Sequence, residues 1–341
     1  MSQNFQWLPE WAGQQAVLLA WPHQDTDWRP WLADIEQDYV ALASAIAGAA
    51  TPLILCRGPA HQAHIAGLLT HCGPYRPRYV VADYNDTWCR DYGPLCLGDG
   101  PQRQLLDFRF TGWGDKYEAH LDDAINRQLE ALWQAPLRSV PFELEGGSVD
   151  TDGAGTLLTT EHCLLHSNRN AGMQRWDIEE LLRNTLGLTR ILWLSEGALL
   201  GDDTDSHIDN LARFCDPGTI AYCHCDNPED PHYAPLTAME HQLQGFTRSD
   251  GSPYRLQPLP LPSPRFDQGG QRLPASYVNF LILNDRVIMP VFDSPEDALA
   301  RERLSDCFPG KTIVTVPGGN LIRQFGGPHC ATMQLAEGTL R

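Results

Sequence analysis

The sequence predicts an α/β protein: a closed, pseudo-symmetric ring of β-rich units, each carrying one helix. Three observations predict it. Short apolar runs of strand length alternate with helix-period segments along the whole chain. Five of the helix-period segments begin near residues 60, 118, 175, 233 and 295, a spacing of about 60 residues. No G-x-G-x-x-G or P-loop is present, and a dinucleotide-binding alternation would give shorter, less even units.

Taken in order, strands are expected at 16–20, 52–56, 79–81, 105–110, 157–160, 191–194, 211–214, 219–222, 277–283, 287–291 and 312–316. Helices are expected at 34–47, 60–69, 118–133, 175–186, 233–243 and 295–307, the first lying outside the repeat. The last opens on Ser294 as N-cap, Pro295 at the first helical position and two acids in the first turn. The Pro-rich stretch 256–264 reads as a long surface loop, because strand-like runs resume beyond it. No low-complexity linker divides the chain, so residues 1–341 are expected to form a single catalytic domain.

Composition narrows the function. Of 341 residues, 42% are hydrophobic and 20% charged, enough for a packed core. The formal net charge of −18 argues against a nucleic-acid or anionic-membrane surface and is compatible with a cationic substrate. The N-terminal stretch has no basic start, and the apolar run 16–21 is far too short for a signal core or a membrane span, so a cytoplasmic location is expected. The ten cysteines then read as free thiols. Cys223-His224-Cys225 lacks a second ligand pair at zinc-finger spacing, so no metal is assigned there.

Four stretches could carry chemistry. In N-D-T-W-C-R-D-Y-G-P (85–94), Asp91 and Trp88 offer a carboxylate and an aromatic face to a cation; the plainer reading is a loop whose Arg90 pairs with an aspartate. In E-L-E-G-G-S (143–148), Gly-Gly after a carboxylate permits close approach, as a β-bulge also would. In G-D-D-T-D-S-H-I-D-N (201–210), four aspartates crowd His207; a solvated acidic loop and a divalent-metal site are both open, though the EF-hand pattern fails. His207 and Asp209 are expected on one face of a strand. In F-G-G-P-H-C (325–330), a cysteine follows a turn that could present a nucleophile or simply enter the core.

A cysteine and a histidine among carboxylates suit a cationic electrophile, because acids would oppose an oxyanion. Guanidinium fits: it is planar, permanently charged and offers paired N–H donors. At this point the motifs D-T-W-C-R-D-Y-G-P, F-T-G-W-G-D-K-Y, E-G-G-S, S-N-R-N, G-D-D-T-D-S-H-I-D-N, S-Y-V-N-F and H-C resemble, in order, the agmatine deiminase and Porphyromonas-type peptidyl-arginine deiminase family. The resemblance runs from Trp21-Pro22-His23 to Cys330. It implies the pentein fold, a five-fold pseudo-symmetric α/β-propeller of ββαβ units.

The resemblance further implies roles. Cys330 would be the nucleophile and His207 the general acid/base. Asp91 and Asp209 would grip the guanidinium, Glu145 would be a third acid, and Trp88 and Trp113 would line the substrate channel. The implied reaction is hydrolysis of agmatine to N-carbamoylputrescine and ammonia through a thiouronium on Cys330, with no metal or organic cofactor. A small cationic guanidine would be the partner, with oligomeric state left open. Other small guanidines, C-terminal peptidyl arginine and a non-catalytic polyamine-binding protein are the alternatives. The chain departs from many agmatine deiminases at Pro328, and from some at Asp150, both expected near the pocket. The acids are also expected to raise the thiol pKa of Cys330.

Overall fold

Four of the five sheets follow one pattern: an antiparallel strand pair, a crossover, then a third strand parallel to the second. The computed structural model describes residues 5–98 and 100–341. The first sheet opens with β1 (Gln14–Ala20), β2 (Thr51–Cys56) and β3 (Arg78–Val81), all parallel. The second holds β4 (Leu95–Leu97), β5 (Gln104–Arg109) and β6 (Leu137–Glu143). The third holds β7 (Val149–Thr151), β8 (Thr156–Thr160) and β9 (Arg190–Leu194). The fourth holds β10 (Ala212–Asp216), β11 (Thr219–His224) and β12 (Arg255–Pro260). The fifth holds β13 (Leu281–Leu283), β14 (Arg286–Val291) and β15 (Thr312–Pro317). Finally β16 (Met333–Ala336) returns to pair antiparallel with β1, Leu18 opposite Met333, which completes the first sheet and closes the five-bladed ring.

Parallel neighbours need a crossover, and helices supply most of them. Leu32–Ile46 joins β1 to β2, Arg175–Leu186 joins β8 to β9, Tyr233–Gly245 joins β11 to β12, and Asp297–Cys307 joins β14 to β15. The second of these shows how sequence sets its limits. A capping box between Gln174 and Asp177 starts it, and Gly187, left-handed at φ 69°, ends it. Ile178, Leu182 and Leu186, four residues apart, are its buried side.

The even spacing of helix starts is partly a coincidence. The crossover of the first sheet is the helix at 32–46, which the spacing left out; Pro59–Leu68 is an extra element between β2 and β3. No long helix forms over 118–133, only Ile125–Gln128 and a 3-10 turn, Glu130–Leu132. The polar side chains there bond to distant backbone instead: Asp123 accepts the Phe110 N–H at 2.9 Å, Asp122 accepts that of Asn85 at 2.7 Å, and Asn126 donates to the Tyr92 carbonyl at 2.8 Å. The Pro-rich stretch contributes β12, which the sequence placed in a loop. It is an edge strand, where Pro258 and Pro260 cost no interior ladder bond. Ser294 is not an N-cap: Glu296 holds that position, and Ser294 forms the preceding turn by accepting the Asp297 N–H at its carbonyl, 3.0 Å. The strand expected over 277–283 is cut to Leu281–Leu283. Among the described residues no helix is long and apolar enough to cross a membrane.

Candidate active site

Five connections lead from one sheet to the next, and one end of each reaches a common point. β3–β4 brings Asp91, β6–β7 brings Glu145 and Gly147, β9–β10 brings His207 and Asp209, β12–β13 brings Asn279, and β15–β16 brings Cys330. Hydrogen bonds join neighbours around the circle. The Gly147 N–H donates to Asp91 Oδ1 at 2.9 Å, Asn279 Nδ2 to Asn210 Oδ1 at 2.9 Å, the His329 N–H to Asn279 Oδ1 at 2.9 Å, and the Arg90 N–H to the Cys330 carbonyl at 3.1 Å.

Glycine is dictated where the connections cross. A Cβ on Gly147 would stand 2.7 Å from His207 Nδ1, 2.8 Å from Asp91 Oδ1 and 3.0 Å from Asp209 Oδ2. On Gly326 it would enter the Trp88 ring at 2.2 Å. At Gly147, Gly326 and Gly327 side chains from other connections occupy the room, and at Gly146 the backbone carbonyl of Arg90 does, 2.2 Å from where a Cβ would stand.

Asp91 sits in one turn of helix, Cys89–Tyr92, and is buried. Trp113 Nε1 donates to its Oδ2 at 2.9 Å. Trp113 reaches it from four successive left-handed residues, Gly112, Trp113, Gly114 and Asp115, with φ between 59° and 78°. Such strain at a tryptophan persists only where surroundings enforce it, here edge-on contacts with Phe110 and Tyr117. Burial pushes Asp91 above the usual carboxylate range; His207 opposes this, and Asp209 and Glu145 add to it.

His207 is fully buried between Asp91, 3.7 Å from Nδ1, and Glu145, 3.9 Å from Nε2, and neither ring nitrogen has a hydrogen-bond partner. It precedes a 3-10 turn, Ile208–Asn210, rather than standing on a strand as expected. The Thr204 hydroxyl and backbone bonds close the loop before strand geometry can begin. Arg169, from the S-N-R-N motif, donates Nε to Glu145 Oε1 at 2.7 Å and Nη1 to Asp205 Oδ2 at 2.6 Å. Asp202 caps the loop, accepting Thr204 Oγ1 at 2.6 Å and the Ser206 N–H at 2.7 Å.

Cys330 Sγ lies 3.3 Å from Asp209 Oδ2 and accepts from Asn279 Nδ2 at 3.0 Å. The same Asp209 oxygen faces His329 Nδ1 at 2.8 Å, and His329 Nε2 faces Glu10 Oε2 at 2.7 Å. Glu10 is held by Arg213 at 2.7 Å. Burial alone would raise Asp209, but the hydrogen bond and charge of His329 bring it below its usual range. Asp209 Oδ1 remains without a partner. The Cys330 thiol is pushed well up, first by burial, then by Asp209 and Asp91, as the sequence led us to expect.

A pocket opens onto Cys330 and Asp91. Trp88, Trp113, Tyr117 and Phe325 form its walls, and Asp27, Asp86 and Asp203 also line it, with no basic side chain among its described lining residues. Among the described residues Glu145, Cys163 and His207 are the one group spaced to ligate a metal. The donor set suits one poorly: Arg169 already occupies Glu145, and burial with the Glu145 charge drives the Cys163 thiol well above its ordinary range.

The comparisons with known proteins agree on one family. Residues 6–336 match the model of the Porphyromonas-type peptidyl-arginine deiminases. The chain belongs to this family. These deiminases are hydrolases acting on C–N bonds of amidines. A Shewanella sp. (strain W3-18-1) relative provisionally named agmatine deiminase is 34% identical, over 99% of this chain and 96% of its own. A Porphyromonas gingivalis structure provisionally named arginine deiminase is 43% identical, with a TM-score of 0.92 over 99% of this chain and 100% of its own. A Campylobacter jejuni agmatine deiminase, a cysteine-to-serine variant with substrate bound, is 34% identical, with a TM-score of 0.92 over 100% of this chain and 99% of its own. The fold is the pentein propeller.

The structure brings together Asp91, Glu145, His207, Asp209 and Cys330; of these Asp91 and Cys330 line the pocket, with Trp88 and Trp113 on its wall, and Glu145, His207 and Asp209 are not among its lining residues. Asp150 stands behind the Arg213–Glu10–His329 group. It accepts the Phe214 N–H at 2.7 Å beside Arg213 and does not itself line the pocket. Sequence reasoning missed Glu10, Arg169, Asn279 and His329. Arg169 and Asn279 stood inside quoted motifs, and His329 adjoins Cys330; Glu10, more than 300 residues from Cys330, gave no signal.

Proposed function

We propose that the protein hydrolyses agmatine to N-carbamoylputrescine and ammonia, with Cys330 as nucleophile. The observation that carries this is a set of buried, unpartnered polar atoms: Asp209 Oδ1, an acceptor on the acid beside Cys330, and the two ring nitrogens of His207, which stands between Asp91 and Glu145. Buried polar groups without partners call for a ligand, and a planar cation with several N–H donors meets that demand beside two carboxylates. Asp91 and Asp209 would hold the guanidinium nitrogens, leaving its carbon before Sγ.

In this reading guanidinium binding offsets the acidic field and favours the Cys330 thiolate. The thiolate attacks the guanidinium carbon, and His207 protonates the departing nitrogen as ammonia. Glu145, fixed by Arg169, orients His207. A water deprotonated by His207 then releases the ureido product from the S-alkylthiouronium. Overall, one guanidinium and one water give one neutral urea group and one ammonium.

The pocket lining favours an amine tail. Asp27, Asp86 and Asp203 would attract the second cationic end of agmatine and repel the carboxylate of free arginine. The test is a panel of agmatine, arginine, methylated arginines and arginyl peptides, scored for ureido product and ammonia, with Cys330→Ala and a chelator-treated sample alongside. Conversion of agmatine that resists chelation and vanishes in Cys330→Ala is expected. If no guanidine is converted, the proposal falls.

A further inference from the structure

We propose that His329 is a positioning residue of the site: anchored by Glu10, it ties one oxygen of Asp209 and keeps that acid ionised, so that the other oxygen is offered to a guanidinium. The inference rests on the reading of Asp209 as a carboxylate that grips the substrate. Glu10 belongs to none of the five converging connections; it precedes β1, yet it is buried among charges. Its Oε2 meets Arg213 at 2.7 Å, His329 Nε2 at 2.7 Å and Arg90 at 3.6 Å, and its Oε1 accepts the Ile282 N–H at 2.6 Å. Both oxygens are held, so this carboxylate is a fixed anchor.

The buried His329 ring stands between two acids, with Nε2 2.7 Å from Glu10 Oε2 and Nδ1 2.8 Å from Asp209 Oδ2. Burial works against the charge of both acids. Arg213 and His329 nevertheless hold Glu10 below its ordinary range, and His329 does the same for Asp209. Ionised carboxylates only accept hydrogen bonds, so each ring nitrogen donates and the ring carries a positive charge. The donor roles follow from the partners. The His329 backbone is fixed as well, its carbonyl accepting from Arg90 Nε at 3.3 Å.

Asp209 needs this support. It is fully buried, feels the charge of Asp91, and its Oδ2 lies 3.3 Å from Cys330 Sγ. A carboxyl in such a place, given no cation, takes up a proton and loses its attraction for a guanidinium. His207 and Arg213 also bear on Asp209 by charge, as does Arg90, and Asp150 stands beyond Arg213. Among the described residues only His329 and Cys330 hydrogen-bond the carboxylate, both at Oδ2, and Oδ1 is left buried without a partner. One ring thus settles both the charge of the acid and which oxygen it offers.

Carbon-13 NMR of the aspartate carboxyls, with Asp209 assigned by its loss in Asp209→Asn, tests this without turnover. In the wild-type protein the Asp209 signal should stay at its ionised position from pH 8 to about pH 4.5. In His329→Gln, which places no charge there, its midpoint should rise by about two units or more. With agmatine, the ratio of variant to wild-type kcat/KM should fall about tenfold for each pH unit below that midpoint, chiefly through KM, and level off above it. A residue that only packed the turn would give one ratio at every pH and leave the carboxyl unmoved; that result overturns the proposal. If the variant does not fold, nitrogen-15 NMR of the wild-type ring decides: at pH 7.5 both His329 nitrogens should carry protons, and a bare nitrogen overturns it. Should the wild-type protein convert no guanidine while the Asp209 midpoint still shifts in the variant, deimination fails and the hold of His329 on Asp209 stands.

Discussion

Arg169 donates to Glu145 at 2.7 Å with both side chains fully buried, and its other arm holds Asp205. One guanidinium therefore fastens a site acid to the acidic loop that carries His207. Removing it leaves Glu145 charged and alone in the interior, a loss of about 3–5 kcal/mol. Arg169→Met should lower the urea midpoint accordingly. Arg169→Lys, which keeps the charge but not the fork, should recover only part of it. A loss below about 1 kcal/mol in Arg169→Met contradicts this account.

Gly147 leaves space that His207, Asp91 and Asp209 fill. In Gly147→Ala the added methyl displaces all three by fractions of an ångström. Turnover of agmatine should drop by roughly 100-fold, with a much smaller change in melting temperature. Full activity in this variant would mean that the three groups are not held in a critical arrangement.

Asp86 lines the pocket, and burial raises its carboxyl to about 7. Below that pH it is neutral and attracts no cation; above it the ionised form does. The kcat/KM for agmatine should therefore gain a rising limb through about pH 7 that Asp86→Asn lacks. Asp203, half-exposed and bonded to the Tyr117 hydroxyl at 2.5 Å, is a weaker contributor. Asp203→Asn should raise KM about two- to fivefold with little change in kcat.

Glu10 is held far below its ordinary range: burial opposes ionisation, but Arg213 and His329 outweigh it. A depressed carboxyl adds stability that is present above its unfolded value, 4.5, and is lost as pH falls below it, because the unfolded chain then takes up the proton first. Glu10→Gln should be less stable at pH 7, yet its stability should fall less steeply between about pH 5 and 3. Parallel acid curves for the two proteins would count against this.

Much of the ring was legible because alternation of apolar runs survives in short strands. The strands at 191–194, 219–222 and 312–316 and the helix at 175–186 lie where the pattern put them. What the pattern could not show was pairing. The sequence of 118–133 has helical period, but its aspartates and Asn126 bond to the 85–92 and 110 backbone, partners invisible to a local reading. Prolines at 258 and 260 suggested a loop because nothing in the sequence marks an edge strand. The site was legible where chemistry demanded unusual residue types in a row. Its supports were not: Glu10 and Arg213 are ordinary surface residues by type, and only long-range packing makes them a buried network.

The pairing of β16 with β1 has a consequence for how activity arises during synthesis. Leu18 waits for Met333, and Cys330 lies just before that final strand. While the chain is growing, the acids and His207 emerge long before the thiol that they surround. The Cys330 sulfur is delivered by the same event that seals the ring, a contact of very high sequence separation and hence a slow one. Premature termination anywhere upstream leaves a polypeptide with an open first blade and without Cys330, so a half-made copy lacks the thiol proposed to react.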